Sequence, residues 1–580
     1  MSVERLLSLI LILSLVVLTG CSSCRSDEQT MHREADARIQ ALSEVLPTRA
    51  DAAVVVPEIG KMRVAVDHTM ERVSQFQPQI RMVEQQLSRE LGLRITEEQS
   101  WRDSGIDPNG SLIVAIIGNR PVIATFIEDR QKFESRFVER LRRSGDTEGP
   151  VRTESVGGQS FKVSGDGIHN EFAWFYRDSM VFLAMPPFDA LGAFKEGTAL
   201  SVANSVAQTT PENSLGRSEA FLSYREGLGE LAISLYVDAE KYFRRPESHR
   251  IAGGLESILE SLVSWSRSNA EGAGIGLDAD ERTILLQAFV GGDEDLIKEA
   301  QAAFGTTATV DWGSMLTTNT VFAVRTGFDL AKAMETYMSS LPDDQRRRLA
   351  RQINQLGRNY QLDMEEEVFR AFSGQSLTVF YGLGGDIARL LQGLNSAEPL
   401  DIVRTILANS GLLVGLHFVE EEKLEKLLSR ADELTADFVV RRPLIYHGEQ
   451  KSDVEVMEPR SLSLFPARLF RRNDVVTIAA AGIGENAAYD YMTGQRSEGK
   501  LADSETYLLG QDFAIKEGMN GIYVNFENLR QTIRRIPMVG GFANQLQPLH
   551  ELLISAEVSD KGFYLSAELE FTEPLGSDQE

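Results

Sequence analysis

The sequence predicts an α+β fold of two tandem related halves, with largely antiparallel sheets and packed amphipathic helices. Three observations predict it. Short β-rich runs alternate irregularly with longer helical stretches, and tight turns join neighbouring runs, which is the pattern of hairpins rather than of a doubly wound parallel sheet. The stretch Leu235-Tyr236-Val237-Asp238-Ala239-Glu240 has a counterpart in Ile522-Tyr523-Val524-Asn525-Phe526-Glu527, and each is followed at the same distance by a glycine pair, Gly253-Gly254 and Gly540-Gly541. Other matches keep their order along the chain, among them Arg177-Asp178-Ser179-Met180 with Arg472-Asn473-Asp474-Val475.

Taken in order, Ala52 to Val56 reads as a strand and Gly60 to Leu91 as a helix, with Met62, Val66, Met70 and Val73 on one face. Ser111 to Ile116 and Val122 to Ile127 are strands around the Gly118-Asn119-Arg120-Pro121 turn. Asp129 to Arg143 is an amphipathic helix carrying Phe133, Phe137 and Leu141. Three β segments follow, around Phe161 to Val163, Glu171 to Tyr176 and Met180 to Ala184, then a helix from about Phe188. Strands are expected near Ala220 to Tyr224 and at Ala232 to Val237, a helix at Leu255 to Ser266, and a closing strand pair at Gly272 to Leu277 and Thr283 to Val290. The opening β-α-β-β-α-β order is ferredoxin-like in pattern. The second half repeats the course from Leu316, with strands at Ser376 to Phe380 and Leu412 to Val419, and with an additional helical segment at about Gly384 to Asn409. The expected domains are residues 46–304 and 312–575.

The length of 580 residues allows ample buried core, and 42% hydrophobic and 8% aromatic residues belong to a globular chain. The formal charge of −26 repels a nucleic-acid backbone, so no nucleic-acid partner is expected. The two cysteines, Cys21 and Cys24, leave the folded body without a disulfide. The seven histidines are scattered without metal-ligand spacing, so no metal and no cofactor are expected.

Residues 1–20 have the layout of an export signal. Arg5 supplies the positive end, and Leu6 to Leu18 is an apolar run of h-region length, short for a spanning helix. Leu18-Thr19-Gly20-Cys21 then resembles the lipobox of bacterial lipoproteins. That resemblance implies a diacylglyceryl group on the Cys21 thiol, cleavage before Cys21 and further acylation of the new amine. Several acyl chains anchor stably where one does not. Ser22 stands where an aspartate would favour the inner membrane, so the expected address is the outer membrane, facing the periplasm. Residues 21–45 read as a polar tether, with a short helix from Met31 to Leu46. The opening of the body is a strand after Leu46-Pro47, a long helix and an Asp107-Pro108-Asn109-Gly110 turn. It resembles an uncharacterised family of bacterial exported proteins, which implies a fold and no chemistry.

No catalytic motif retains its companions. Gly482-Ile483-Gly484 follows a strand, but no acid-ended second strand completes a dinucleotide site. Ser497-Glu498-Gly499-Lys500 lacks the partners of penicillin-recognising enzymes. Asp278-Ala279-Asp280-Glu281 lacks the glycine and distal glutamate of a calcium loop and reads as a turn. The duplicated polar residues Tyr236, Glu240, Tyr523 and Glu527 read first as framework, a buried tyrosine and a first-turn glutamate favoured by the helix dipole. Their sharper reading is a set of symmetric binding positions. The sequence thus points to a lipid-anchored envelope protein in a non-catalytic binding or structural role, partnered by the membrane through its lipid and by an envelope protein or an amphiphile. Two alternatives stand beside it. One is a periplasmic carrier or chaperone for a lipid or other amphiphile. The other is an envelope hydrolase assembled from dispersed groups such as His169, His447 or Asp453.

Overall fold

The structure is a computed structural model. It describes residues 28–572 apart from 78, 83–84, 86–87, 89–91, 119, 144–149, 166–170, 187–198, 230, 240, 242–269, 305–309, 342, 384–409, 435–438, 447–448, 460–466, 481–482, 495–498, 517–519 and 537–539. The chain is α+β, and its strand pairings are antiparallel. It divides into two compact units, Met1–Leu296 with Asp560–Glu568 and Glu573–Glu580, and Ile297–Ser559 with Leu569–Thr572.

In the first unit the strands are β1 (Ala52–Val56), β2 (Leu112–Ile117), β3 (Arg120–Phe126), β4 (Arg152–Val156), β5 (Gln159–Ser164), β6 (Phe172–Arg177), β7 (Met180–Ala184), β8 (Ile233–Asp238), β9 (Ala270–Ala279) and β10 (Thr283–Gly292). They lie in the order β10-β9-β8-β1-β2-β3-β7-β6-β5-β4. One apolar core joins Ile39, Leu42, Val55, Ile113, Val122, Phe161, Phe182, Val206, Phe221 and Tyr236. A smaller core holds Phe133, Leu141, Trp174 and Leu183, with Trp174 edge-on to Phe137. Phe172 to Phe175 are all buried, as expected of a strand covered on both faces.

In the second unit the strands are β11 (Phe322–Thr326), β12 (Phe372–Leu383), β13 (Ser410–Phe418), β14 (Val439–Tyr446), β15 (Glu449–Pro459), β16 (Ala467–Arg472), β17 (Val475–Ala480), β18 (Asn520–Asn525), β19 (Leu549–Val558) and the end of β20 (Gly562–Phe571). Their order is β19-β18-β11-β12-β13-β17-β16-β15-β14, with the end of β20 beside β19. Trp312, Leu316, Leu377, Leu413, Phe470, Met492, Phe513 and Tyr523 are in its core.

Local chemistry explains the tight corners. Arg177 pairs with Met180 and Arg472 with Val475, so each hairpin turns through two residues. Such turns need positive φ. Asp178 and Asn473 supply it at φ 52° and 53°, and Asx residues tolerate that region better than most non-glycine residues.

Several expectations are corrected. Ala220 to Tyr224 is not a strand but part of the helix Glu219–Leu228, whose buried residues Phe221, Tyr224 and Leu228 have helical spacing. Five residues are too few to separate a period of 2 from one of 3.6. Gly229, at φ 63°, ends the helix, its amide donating to the Arg225 carbonyl. The ferredoxin-like reading also fails, because β1 lies directly between β2 and β8. The helix expected from Met31 to Leu46 is present as Glu28–Ser43, but it packs on the body rather than serving as a polar tether, with Ile39 and Leu42 fully buried in the first core. The signal and Cys21, the glycine pair Gly253-Gly254, the helix expected at Leu255 to Ser266 and the segment 384–409 lie outside the described residues. Among the described residues no helix is long and apolar enough to cross a membrane.

Candidate functional site

Strand β18 delivers two of the singled-out residues. Tyr523 lies opposite Ala323 of β11, fully buried, with its ring stacked on Phe513. Its hydroxyl donates to Glu551 Oε1 at 2.6 Å. The strand then becomes the helix Phe526–Arg534. Asn525 caps it by accepting from the Asn528 amide at 2.9 Å, and Glu527 sits in the first turn. The Tyr507 hydroxyl donates to Glu527 Oε2 at 3.2 Å.

Glu551, on β19, is fully buried. Besides the Tyr523 hydroxyl it accepts the amides of Leu509 at 3.1 Å and Gly510 at 3.2 Å. These are orphan donors at the start of the helix Leu508–Ile515, so the carboxylate closes that helix end from a neighbouring strand. His550 lies against the Tyr507 ring, with centroids 5.5 Å apart, and its Nδ1 is 3.2 Å from Glu570 Oε2. Donor atoms of His550, Glu551 and Glu570 all fall within 4.8 Å of one another.

Burial dominates the electrostatics. It pushes the Glu551 carboxyl up to about 7, and the Tyr523 hydrogen bond offsets only part of that. Burial, followed by the adjacent Glu551 charge, raises the Tyr523 phenol well above its usual value. His550 is raised as well, because its bond to Glu570 favours the imidazolium more than burial opposes it.

In the first unit, Tyr236 lies opposite Ala53 of β1, fully buried among Phe221 and Tyr224. Burial, then the Asp238 charge, raises its phenol. Asp238 accepts the Lys241 amide at 2.9 Å, the role Asn525 has in the second unit. Glu240 lies outside the described residues. The structure therefore connects Tyr523 to Glu551 and Glu527 to Tyr507, and it encloses Tyr236 in aromatic rings.

The remaining candidates have local roles or lie outside the description. Asp280 Oδ1 accepts the amides of Arg282 and Thr283 in the β9–β10 turn, and Asp278 pairs with Lys61 at 2.6 Å. Asp453 pairs with Arg472 at 3.2 Å. Ser497, Gly482, His169 and His447 are outside the described residues. A hollow of about 490 Å³ in the first unit is lined by Val55, Pro57, Leu222 and Tyr224, with the Asp36–Arg225 ion pair also on its wall.

Sequence reasoning missed the grouping of His550, Glu551 and Glu570. Consecutive strand residues ordinarily point to opposite faces, which argues against joining His550 with Glu551. The available signal was the hairpin: His550 and Glu570 lie at equal distances from the turn between β19 and β20.

No family model matches the chain, and no curated protein matches it. Two solved structures are similar to part of it. Crystal form III of TP0453 has a TM-score of 0.21 and 9% identity, covering 46% of this chain and 88% of its own. Crystal form I has a TM-score of 0.22 and 11% identity, covering 45% and 86%. Scores of that size carry no argument about fold or function.

Proposed function

We propose that the chain is a lipid-anchored protein of the bacterial cell envelope, built from two halves related by duplication, with a non-catalytic binding or structural role. The observation that carries the non-catalytic part is the use made of the duplicated positions. Tyr236 and Tyr523 are both fully buried opposite an alanine of the central strand, and Asp238 and Asn525 both accept an amide three residues on. Positions kept in this way serve a scaffold. The same strand order in both units and the positive-φ Asx residue at both two-residue hairpins support duplication. The anchor rests on the apolar run and Leu18-Thr19-Gly20-Cys21. The outer membrane, facing the periplasm, is the proposed address. The carrier reading rests on the hollow beside Val55 and Leu222, whose wall also carries an ion pair; a ligand-sized site is ordinarily lined mainly by apolar groups.

Cys21→Ser is expected to abolish incorporation of labelled fatty acid and to block lipoprotein-type cleavage. Membrane attachment that persists in this variant after residues 1–20 have been lost would overturn the anchor. For the role itself, the purified chain is expected to show no turnover of esterase, phosphatase, peptidase or glycosidase substrates. Turnover that disappears when one carboxylate or histidine is replaced in a folded variant would sink that part.

A further inference from the structure

We propose that His550, Glu551 and Glu570 form a binding site for a divalent transition-metal ion of the zinc type. The site goes beyond the anchoring and scaffold roles and stands or falls independently of them.

The donor set is one imidazole nitrogen and two carboxylate oxygens. Zinc accepts this mixture, whereas calcium and magnesium prefer oxygen alone. The spacing fits as well. Metal–ligand bonds of about 2.0–2.1 Å set tetrahedral ligands about 3.3 Å apart. His550 Nδ1 and Glu570 Oε2 are 3.2 Å apart, so an ion can replace the proton between them without moving either strand. The third donor, on Glu551, lies within 4.8 Å of both and closes the site by a side-chain adjustment.

The surroundings hold these ligands in place. A carboxylate has about four acceptor positions. Glu551 gives two on Oε1, to Tyr523 and Gly510, and one on Oε2, to Leu509. Oε2 retains capacity for an ion, and its three donors orient it as outer-shell partners orient ligands in metal sites. The Tyr507 ring stacks on the imidazole and fixes its plane, and Tyr507 is itself tied to Glu527. The carboxylates are nearly inaccessible, with Glu551 at 0% and Glu570 at 6% exposure. The His550 side chain, at 14%, gives an ion a way in from the surface. A doubly charged ion would neutralise two carboxylates in a place where water cannot.

The test uses the full chain in detergent, with Cys21 and Cys24 replaced by serine so that no thiol competes. Zinc binding is followed by calorimetry, and cobalt substitution by its visible absorption. One ion per chain is expected, with a tetrahedral or five-coordinate cobalt spectrum. His550→Phe keeps the stack on Tyr507 and removes the nitrogen, and it is expected to weaken binding at least tenfold. Glu570→Gln keeps the shape and removes the charge, and it is expected to do the same. Circular dichroism establishes that both variants fold. An unchanged affinity in both folded variants, or no saturable zinc binding by the parent protein, overturns the proposal.

Discussion

Gly272→Ala is expected to destabilise the first unit by about 3 kcal/mol, at the upper end of what overpacking a core ordinarily costs. A Cβ at Gly272 would overlap the carbonyl oxygen of Ala220, which belongs to the backbone of the helix Glu219–Leu228. Backbone cannot rotate away, so the whole helix must lift from β9. Gly274 faces the same helix two residues on, and its Cβ would stand 2.5 Å from the Tyr224 ring. That ring is flanked by Phe221 and Tyr236, and its hydroxyl bonds to Ser234, so it has nowhere to go. Gly274→Ala is expected to cost about 2 kcal/mol. At Gly276 the obstacle is the end of the flexible Leu231 side chain, and a cost below about 1 kcal/mol is expected. Gly541, with nothing within 4 Å, is the control and is expected to accept alanine with little change. Urea unfolding of the four variants checks the ranking. Equal effects at Gly272 and Gly276 would show that the helix does not lie on this glycine face.

Those glycines show how much was legible. Gly272, Gly274 and Gly276 alternate, so a strand reading places them on one face, and Phe221, Tyr224 and Leu228 have the spacing of a helix face. The glycine half of the contact is written locally, whereas the helix half reads as a strand over the short stretch Ala220 to Tyr224. Their meeting is not written locally, because it depends on β9 pairing beside β8 and on the helix returning over both. Hairpins with short turns were readable, as at Arg177-Asp178-Ser179-Met180, because register follows from turn length. The edge strand β14 had no comparable signal: Val439–Tyr446 carries the charged pair Arg441-Arg442 and Pro443 in its sequence and lacks an apolar alternation. The candidate site was half legible. Tyr523 and Glu527 stood out through the internal match, whereas Glu551 and Glu570 look like ordinary strand-borne acids until the helix Leu508–Ile515 and the Tyr523 hydroxyl are placed against them.

Glu551→Ala is expected to destabilise the second unit by about 3–5 kcal/mol, because three buried donors lose their acceptor together. The Leu509 and Gly510 amides and the Tyr523 hydroxyl all converge on this carboxylate, and each buried donor left unpaired costs about 1–3 kcal/mol. Glu551→Gln keeps the shape and one acceptor oxygen, so a loss of about 1 kcal/mol is expected at neutral pH. The two variants differ again in pH dependence. The folded Glu551 carboxyl titrates near 7 against a usual 4.5, so the folded state holds this proton more tightly than the unfolded chain. Its contribution is complete below about pH 4.5 and is lost as pH rises through about 7. His550, also raised, has the same sign: its contribution is present below its ordinary value of 6.5 and is lost as pH rises through its higher folded value. The acids Glu570 and Glu527 and the phenols Tyr507 and Tyr523 surround them; of the nearby cations, His550 itself offsets part of the rise at Glu551, and Arg530 interacts with Glu527 and Tyr507. The metal-free second unit is therefore expected to be more stable at pH 5 than at pH 8, with Glu551 the larger contributor to the difference. Glu551→Gln removes most of that slope, and the His550 part remains. Hydrogen exchange at the amides of the helix Leu508–Ile515 reads the effect locally, since Glu551 closes its first turn. A slope in the opposite direction, or one unchanged in Glu551→Gln, would mean that the buried carboxylate does not hold its proton against the unfolded chain.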